Sequence, residues 1–165
     1  MATAPSPSLL NGLAPVLNRD TRILILGSFP GNASLKAEQY YAHPRNQFWP
    51  LLSKMLDEEL VALPYTLRLQ RLQARGIGLW DVIAACAREG SLDSAIRQAQ
   101  ANDFDLLKHQ CPQLATVCFN GKASGKFAPL FAEAGFKTLV LPSSSPAHMR
   151  MTFSEKLVVW RGILD

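Results

Sequence analysis

The sequence predicts an α/β fold: a three-layer α/β/α sandwich around a central, mainly parallel four-stranded sheet. Four short apolar runs rich in branched residues are typical of buried strands. Helical patterns separate the runs, as expected for parallel strands, which need long crossovers whose helices cover both faces of the sheet. Each run also ends in a loop that holds Gly, Ser, Asn or basic residues, which is typical of the ligand-binding edge of such a sheet.

The predicted elements follow one another along the chain. The strands are RILIL, GIGLWDVI, ATVCF and KTLVLP, at residues 22–26, 76–83, 115–119 and 137–142. The helical segments are QFWPLLSKML, TLRLQRLQAR, SLDSAIRQA with NDFDLLKH, KASGKFAPLFAEAG and FSEKLVVWRGIL. We expect residues 1–18 to form an N-terminal arm or a short helix, and residues 19–165 to form one domain.

Composition limits the class of protein. A chain of 165 residues with 48% hydrophobic content is large enough to fold as one domain with its own core, and we expect a monomer. The net charge of +4 suits a polyanionic partner without requiring one. The three cysteines form no C-x-x-C pair, which disfavours a metal site and fits a reducing cytoplasm. No apolar run is long enough for a membrane span, so we expect a cytoplasmic protein that does not bind membranes.

Two glycine-containing loops are candidates for phosphate binding. GSFPGN, residues 27–32, allows backbone N–H groups to approach an anion, although it lacks the G-x-G-x-x-G spacing of dinucleotide-binding loops. GKASGKF, residues 121–127, has too few residues between its glycines for a P-loop, and Phe127 stands where the metal-binding Ser or Thr belongs. This second loop therefore argues against an NTPase.

The run from Ser143 to Ser145 raises the possibility of a hydrolase nucleophile. The sequence has no G-x-S-x-G elbow, so this role is disfavoured. Small hydroxyl residues before Pro146 favour a rigid loop that donates hydrogen bonds to a phosphate. A plain strand-to-helix turn explains the same residues equally well.

A dense cluster of large and polar residues, YYAHPRNQFW, occupies residues 40–49. One interpretation is structural: Asn46 caps the helix that begins at QFWPLL, and the aromatic residues face the core. A helix cap does not explain the presence of Tyr40, Tyr41, His43 and Arg45. These residues therefore point to a binding site.

Four motifs, GSFPG, YYAHPRNQFW, VCFNGK and LPSSSPAH, resemble in order and spacing those of the uracil-DNA glycosylase superfamily. They are most similar to its deoxyinosine (hypoxanthine) DNA glycosylase branch, and the resemblance spans residues 22 to about 150. Mismatch-specific members have a Gly-x-Asn-Pro-Gly first motif, and Phe29 replaces that Asn here. The resemblance implies a monofunctional DNA repair enzyme that flips out a deaminated base, foremost hypoxanthine, and hydrolyses its N-glycosidic bond with water. It implies no metal and no cofactor, and its partner is DNA that contains deaminated bases.

The resemblance also implies roles for individual residues. Asn46 would position the attacking water, since a neutral amide orients water without acting as a strong base. Ser143 would stand where related enzymes stabilise the leaving base. The base would be held by Phe29 through stacking and by backbone groups of the first motif, together with Tyr41 and the amide of Asn120. The complete base-binding set is Gly27, Ser28, Phe29, Tyr41 and Asn120.

A further set of residues is expected to contact the DNA strand: Gly31, Lys122, Ser144, Ser145, His148, Met149 and Arg150. Ala147 stands where related enzymes insert a wedge residue and is too small to fill the gap, so Met149 or Arg150 is the candidate wedge. Asp81, which follows the second strand, is an alternative water-handling group to Asn46. It also fits a structural role.

Two other functions remain open from the sequence. One is a uracil-specific or mismatch-specific enzyme of the same superfamily, which would differ in its pocket rather than in its chemistry. The other is a non-enzymatic α/β module that binds a nucleotide or another phosphorylated molecule at GSFPGN.

Overall fold

A computed structural model describes residues 9–165 of the chain. The strands are β1 (Leu10–Asn11), β2 (Ile23–Gly27), β3 (Ile77–Asp81), β4 (Ile83–Ala87), β5 (Arg97–Ala101), β6 (Thr116–Asn120) and β7 (Lys137–Leu141). The helices are α1 (Asn32–Ala37), α2 (Phe48–Leu56), α3 (Tyr65–Ala74), α4 (Leu106–Gln110), α5 (Lys122–Gly125), α6 (Ala128–Glu133) and α7 (Phe153–Trp160). Two short 3₁₀ helices cover Asp93–Ala95 and Arg161–Leu164.

The central sheet has four parallel strands in the order β3-β2-β6-β7, which confirms the predicted fold class. Successive residues of β2 face opposite sides because side chains alternate along a strand. Ile25 packs into one hydrophobic core with Phe48 and Trp160, whereas Leu24 and Leu26 pack into another with Phe119. The two cores lie on the two faces of the sheet and complete the three layers.

A second, antiparallel sheet of β1, β4 and β5 was not predicted. The run 76–83 does not form one strand: β3 ends at Asp81 and β4, which starts at Ile83, belongs to the second sheet. The predicted helix SLDSAIRQA is wrong over most of its length. After the 3₁₀ turn at Asp93–Ala95, the chain becomes β5 and pairs with β4, so tertiary pairing overrides the helix propensity of Ala, Arg and Gln.

The N-terminal segment contributes to both sheets. The first eight residues of the predicted arm, 1–18, lie outside the described residues. Beyond them, β1 pairs with β4, and Val16 forms an isolated bridge with Leu79 of β3. Residues 9–18 are therefore tied to the domain by backbone hydrogen bonds.

Two further structural facts bear on the expectations from composition. The three cysteines are free and buried. In the part of the chain from residue 9 onward, no helix has both the length and the apolar character needed to cross a lipid bilayer.

Candidate functional site

A cavity of about 510 Å³ opens at the carboxyl ends of the parallel strands. This is the edge where open α/β sheets bind ligands. Four loop segments line the cavity, together with the last residue of β3 and the last residue of β6. The lining comprises residues 27–34, Tyr40, Tyr41, His43, Asn46, Asp81, residues 91–94, Asn120 and residues 143–148.

The GSFPGN loop forms one wall of this cavity. Ser28 Oγ donates to Asp93 Oδ1 at 2.6 Å, which ties the loop to the 3₁₀ turn. Phe29 lines the cavity but is only 6% exposed, because its ring packs into the core beside β4. The Arg88 guanidinium lies 5.2 Å from the centre of that ring and donates to the carbonyl oxygen of Pro30. The ring of Phe29 therefore supports the loop from within the core.

Tyr40 and Tyr41 also line the cavity, and each is held in place by different contacts. The Tyr40 hydroxyl donates to the Ala14 carbonyl oxygen at 2.8 Å, which anchors this segment to the N-terminal part of the chain. Tyr41 has a φ of +58°, a left-handed conformation that is uncommon for a bulky residue and typical of functional sites. Its ring stacks on Phe48 with centroids 3.9 Å apart, and its buried hydroxyl has no hydrogen-bond partner among residues 9–165.

Asn46 lies at the mouth of the cavity, at the start of α2. Its Oδ1 accepts a hydrogen bond from the Phe48 backbone N–H at 2.9 Å, but the N-cap residue of α2 is Gln47, so Asn46 supports the start of the helix through an Asx turn and is not its cap. This bond also fixes the orientation of the amide. An amide oxygen has two lone pairs and its nitrogen two hydrogens, so one acceptor site and both N–H groups remain for another molecule.

Asn120, at the end of β6, is buried and held by two bonds to one residue. Its Oδ1 accepts from the Ser144 backbone N–H at 2.9 Å, and its Nδ2 donates to Ser144 Oγ at 2.9 Å. One N–H and one lone pair of the amide remain unused. The next residue, Gly121, has a φ of +99°, and a Cβ on it would lie 3.2 Å from Ser143 Cβ. This position favours glycine because of both its conformation and its close contact.

The serine loop closes the cavity above Asn120. Ser143 Oγ accepts from the Ser145 backbone N–H at 3.1 Å, which leaves its own hydrogen free to donate. The Gln47 backbone N–H donates to the Ser144 carbonyl oxygen at 2.9 Å and so joins this loop to the start of α2. Lys156 of α7 is 1% exposed and connects the same two segments. It donates to Gln47 Oε1 at 2.8 Å and to the His148 carbonyl oxygen at 3.0 Å.

His148 lies where the cavity meets a second groove of about 750 Å³. Its buried Nε2 has no hydrogen-bond partner in the described part of the chain. Desolvation lowers the pKa of this imidazole, and the nearby positive charges of Lys156, Arg150 and Lys122 lower it further, so the neutral form prevails at pH 7. Lys122 lines the second groove rather than the cavity.

The remaining predicted DNA contacts lie around the opening. Gly31, Ser144, Ser145 and His148 line the cavity. Met149 and Arg150 are exposed on the loop beside it, and Met149 is 86% exposed.

Asp81 lies deep in the cavity and is 5% exposed. Burial raises the pKa of its carboxyl group to about 7, and the negative charge of Asp93 adds to the effect. Sequence reasoning missed the segment Ser91–Ser94, which also lines the cavity, because its pattern predicted a helix. In the sequence, the glycine before this segment, Gly90, was the available sign of a loop. In the structure Gly90 has a φ of +75°.

The polar side chains of the site are amides, hydroxyl groups, two histidines, the buried carboxyl group of Asp81 and the exposed Asp93. Such a set suits the recognition of the polar edge of a planar base. Within residues 9–165, no group of three His, Cys, Asp or Glu side chains is arranged to hold a metal ion. Among the described residues that line the cavity, none is a lysine.

Comparison with known proteins agrees with this geometry. The family model of the uracil DNA glycosylase superfamily matches residues 14–162. Two curated relatives, each named hypoxanthine DNA glycosylase, are 45% identical to this chain. The one from Methanosarcina barkeri aligns over 88% of this chain and 92% of its own length, and the one from Methanosarcina acetivorans over 86% and 89%.

More distant and structural relatives extend the comparison. A G/U mismatch-specific uracil DNA glycosylase of Schizosaccharomyces pombe is 28% identical over 66% of this chain and 34% of its own length. The solution NMR structure of a candidate uracil DNA glycosylase from Methanosarcina acetivorans superposes with a TM-score of 0.84. It is 42% identical and covers 96% of this chain and 100% of its own. The chain therefore belongs to the uracil DNA glycosylase superfamily.

Proposed function

We propose that this protein is a monofunctional DNA repair glycosylase that hydrolyses the N-glycosidic bond of deaminated bases, foremost hypoxanthine. The observation that carries the proposal is the cavity at the sheet edge, which brings Asn46, Asn120 and Ser143 together from three distant parts of the sequence. The names of the two Methanosarcina relatives support hypoxanthine as the base.

The cavity suits an extruded nucleotide. A base within a duplex is out of reach, so the enzyme must rotate the nucleotide out of the stack into a pocket. The volume of about 510 Å³ falls within the range of about 300–1,000 Å³ typical of ligand pockets. A flipped base would enter between the GSFPGN loop and Tyr41, with its polar edge toward Asn120.

Asn46 is the group we assign to the attacking water. Cleavage places positive charge on the sugar, so the water needs orientation more than strong activation. The amide is already fixed by the Phe48 N–H, and its remaining lone pair is free to accept a hydrogen bond from water. The position of Asn46 at the mouth of the cavity suits a water beside the anomeric carbon.

Base recognition falls to Asn120 and Tyr41. The unused N–H and lone pair of Asn120 match the carbonyl and N–H groups that hypoxanthine and uracil present side by side. Tyr41, held rigid by Phe48, offers an aromatic surface at the cavity wall. Ser143 has a free hydroxyl hydrogen that would stabilise charge on the departing base.

The rim of the cavity supplies the contacts to the DNA strand. Backbone groups of Gly31, Ser144 and Ser145 and the neutral His148 lie at the opening, with Lys122 in the adjoining groove. Phosphate contacts of this kind position the duplex without reading its sequence. Exposed Met149 and Arg150 are the candidates to fill the gap left by the flipped base.

We infer that the enzyme acts as a monomer, without metal or cofactor, in the cytoplasm. A bifunctional glycosylase needs an amine nucleophile to form a Schiff base. Among the described residues, no lysine lines the cavity, which supports base release without strand cleavage. Three free buried cysteines suit a reducing compartment.

The decisive experiment uses duplex oligonucleotides that each contain one hypoxanthine, uracil, xanthine or mismatched thymine. We expect abasic sites to form fastest in the oligonucleotide that contains hypoxanthine, at the position of that base, with no strand cleavage before alkali treatment. Fastest release of uracil would instead indicate the uracil-specific alternative. Binding of free nucleotides in a thermal-shift assay, with no duplex binding and no base release, would indicate the non-enzymatic module.

A further inference from the structure

Asp81 is a buried carboxyl group to which the proposed water-attack mechanism assigns no role. It ends β3 and lies in register with Gly27, the first residue of the GSFPGN loop on the neighbouring strand. A Cβ added to Gly27 would lie 2.6 Å from Asp81 Oδ1 and 3.2 Å from the Tyr41 hydroxyl. The glycine thus leaves the space in which the carboxyl group and the hydroxyl face the cavity.

This carboxyl group has no compensating partner. Its Oδ2 is fully buried without a hydrogen bond among residues 9–165, and so is the Tyr41 hydroxyl beside it. In that part of the chain Asp81 takes part in no salt bridge. The neighbouring titratable groups are Asp93 from the 3₁₀ turn and Tyr40 and Tyr41 from the α1–α2 connection, none of which is a cation.

Burial without a cation favours the uncharged form of a carboxyl group, because an isolated buried charge is costly. The raised pKa of Asp81, about 7, agrees with this expectation. A protonated carboxyl group is a hydrogen-bond donor, whereas the carboxylate can only accept. Asp81 therefore places a donor in a cavity that is otherwise lined by amides, hydroxyl groups, the histidines His43 and His148 and the side chain of Asp93.

We propose that Asp81 acts as a neutral acid that donates its proton to a ring nitrogen of an extruded purine as the glycosidic bond breaks. This inference rests on the proposed function and deepens it by assigning the substrate class. Purines carry the acceptors N3 and N7 in the ring system that receives the electron pair of the broken bond. Ser143, a weakly acidic hydroxyl, is a poorer source of that proton than a carboxylic acid.

The step is balanced in atoms and charge. The bond between the anomeric carbon and N9 breaks, and its electron pair stays with the base. The carboxyl proton of Asp81 moves to the ring nitrogen and leaves a carboxylate. Water adds its oxygen to the anomeric carbon, and the proton that it releases returns to the carboxylate through solvent.

The test compares single-turnover release of hypoxanthine by wild type, Asp81→Asn and Asp81→Ala from about pH 5 to about pH 9. We expect the wild-type rate to fall as pH rises through the pKa of Asp81. In Asp81→Asn that falling limb should disappear, because an amide donates a hydrogen bond but does not titrate. Asp81→Ala should lose about 10²-fold or more at low pH, the usual scale of general acid catalysis. His43 and His148 also line the cavity, so the pH dependence of the wild-type rate does not by itself identify Asp81. Its disappearance in Asp81→Asn does.

A second arm uses substrates that lack one acceptor. Oligonucleotides with 7-deaza- or 3-deaza-deoxyinosine remove N7 or N3, and the analogue on which Asp81→Ala no longer slows the reaction identifies the nitrogen. Asp57→Asn, a carboxyl-to-amide change at the exposed end of α2 away from the cavity, is the matched control and should match wild type.

Several results would overturn the inference. A wild-type rate that rises with pH through the same range would make Asp81 a base that activates water. If the single-turnover rate of Asp81→Asn still falls as pH rises, another group causes the pH dependence. If Asp81→Ala slows the reaction equally on deoxyinosine and on both analogues, Asp81 does not protonate N3 or N7. If wild type releases no base from any oligonucleotide, the proposed function itself fails, which differs from an active enzyme indifferent to Asp81.

Discussion

Asn46 has a structural contact and a proposed catalytic role that a single substitution would confuse, because its Oδ1 accepts from the Phe48 N–H and the residue also lines the cavity. We expect Asn46→Ala to reduce single-turnover base release by about 10²–10⁴-fold while DNA binding persists. Asn46→Ser separates the roles, because a serine hydroxyl can accept the same turn hydrogen bond from the Phe48 N–H, whereas its shorter side chain does not reach the water. It should unfold at the wild-type temperature and yet be as inactive as Asn46→Ala. A serine variant with a near-normal rate would mean that Asn46 only supports the start of α2.

Asn120 offers a test of base recognition that spares the fold. In Asn120→Asp the carboxylate can still accept from the Ser144 N–H, and the Ser144 hydroxyl can turn to donate to it. The donor toward the base is lost, and the negative charge repels a carbonyl oxygen. We expect hypoxanthine release to fall by about 10²-fold or more with little change in thermal stability. An unchanged preference among bases in the release assay would reject the recognition role.

Sequence reasoning located most of the predicted site residues at one edge of the sheet but not the contacts among them. Gly27, Asn120 and the serine loop follow strands, and strand ends meet at one edge of a parallel sheet. By contrast, the packing of Phe29 into the core depends on Arg88 and β4, which lie in the unpredicted second sheet. The bond from Ser28 to Asp93 likewise joins residues 65 positions apart, which no local pattern encodes.

At the scale of elements, the four parallel strands were predictable because each contains a short, continuous apolar run, including β7 at the edge of the sheet, which is only partly buried. The second sheet was not, because β5 is exposed throughout and its residues carry no period-two apolar signal. Its pairing with β4 is decided by tertiary contacts, and β1 of two residues is too short to detect. A continuous run of apolar, branched residues is thus what made a strand predictable in this chain.

Helix α7 holds the two loops of the site together through one buried lysine. Replacing Lys156 by Met keeps the buried stem but leaves Gln47 Oε1 and the His148 carbonyl oxygen without their donor. We expect the free energy of unfolding to drop by about 1–3 kcal/mol, as for lost charged hydrogen bonds. The loops should also position DNA less well, so single-turnover rate should fall while the pH profile keeps its shape.

The control for this prediction lies on the same helix. Val158 is 75% exposed, so Val158→Ala should change the free energy of unfolding by no more than about 0.5 kcal/mol and leave the rate unaltered. Chemical denaturation measures both variants. A Lys156→Met protein as stable and as active as wild type would mean that the desolvation cost of the buried cation cancels its hydrogen bonds.

At the scale of the whole molecule, the buried carboxyl group of Asp81 should make stability depend on pH. Its pKa rises from 3.8 in the unfolded chain to about 7 in the folded protein, so the folded state binds the proton more tightly. This contribution is fully present below pH 3.8 and is lost as pH rises to about 7, because over that range the unfolded chain gains free energy by ionising and the folded protein does not. Asp81 therefore destabilises the protein at and above neutral pH, a cost typical of functional groups.

Asp81→Asn removes that ionisation while keeping the shape of the side chain. Relative to wild type, we expect the variant to gain stability progressively from pH 3.8 to about 7, by on the order of a few kcal/mol, and to keep a constant gain above that range. Denaturant unfolding at a series of pH values measures the difference in free energy of unfolding between the variant and wild type. Other titrating groups contribute equally to both proteins and cancel. A difference that does not change with pH would mean that the folded protein ionises Asp81 as readily as the unfolded chain does. The proposal that Asp81 acts as a neutral acid would then fail as well, because the pH dependence of stability and the acid role both require that the folded protein keeps this carboxyl group protonated.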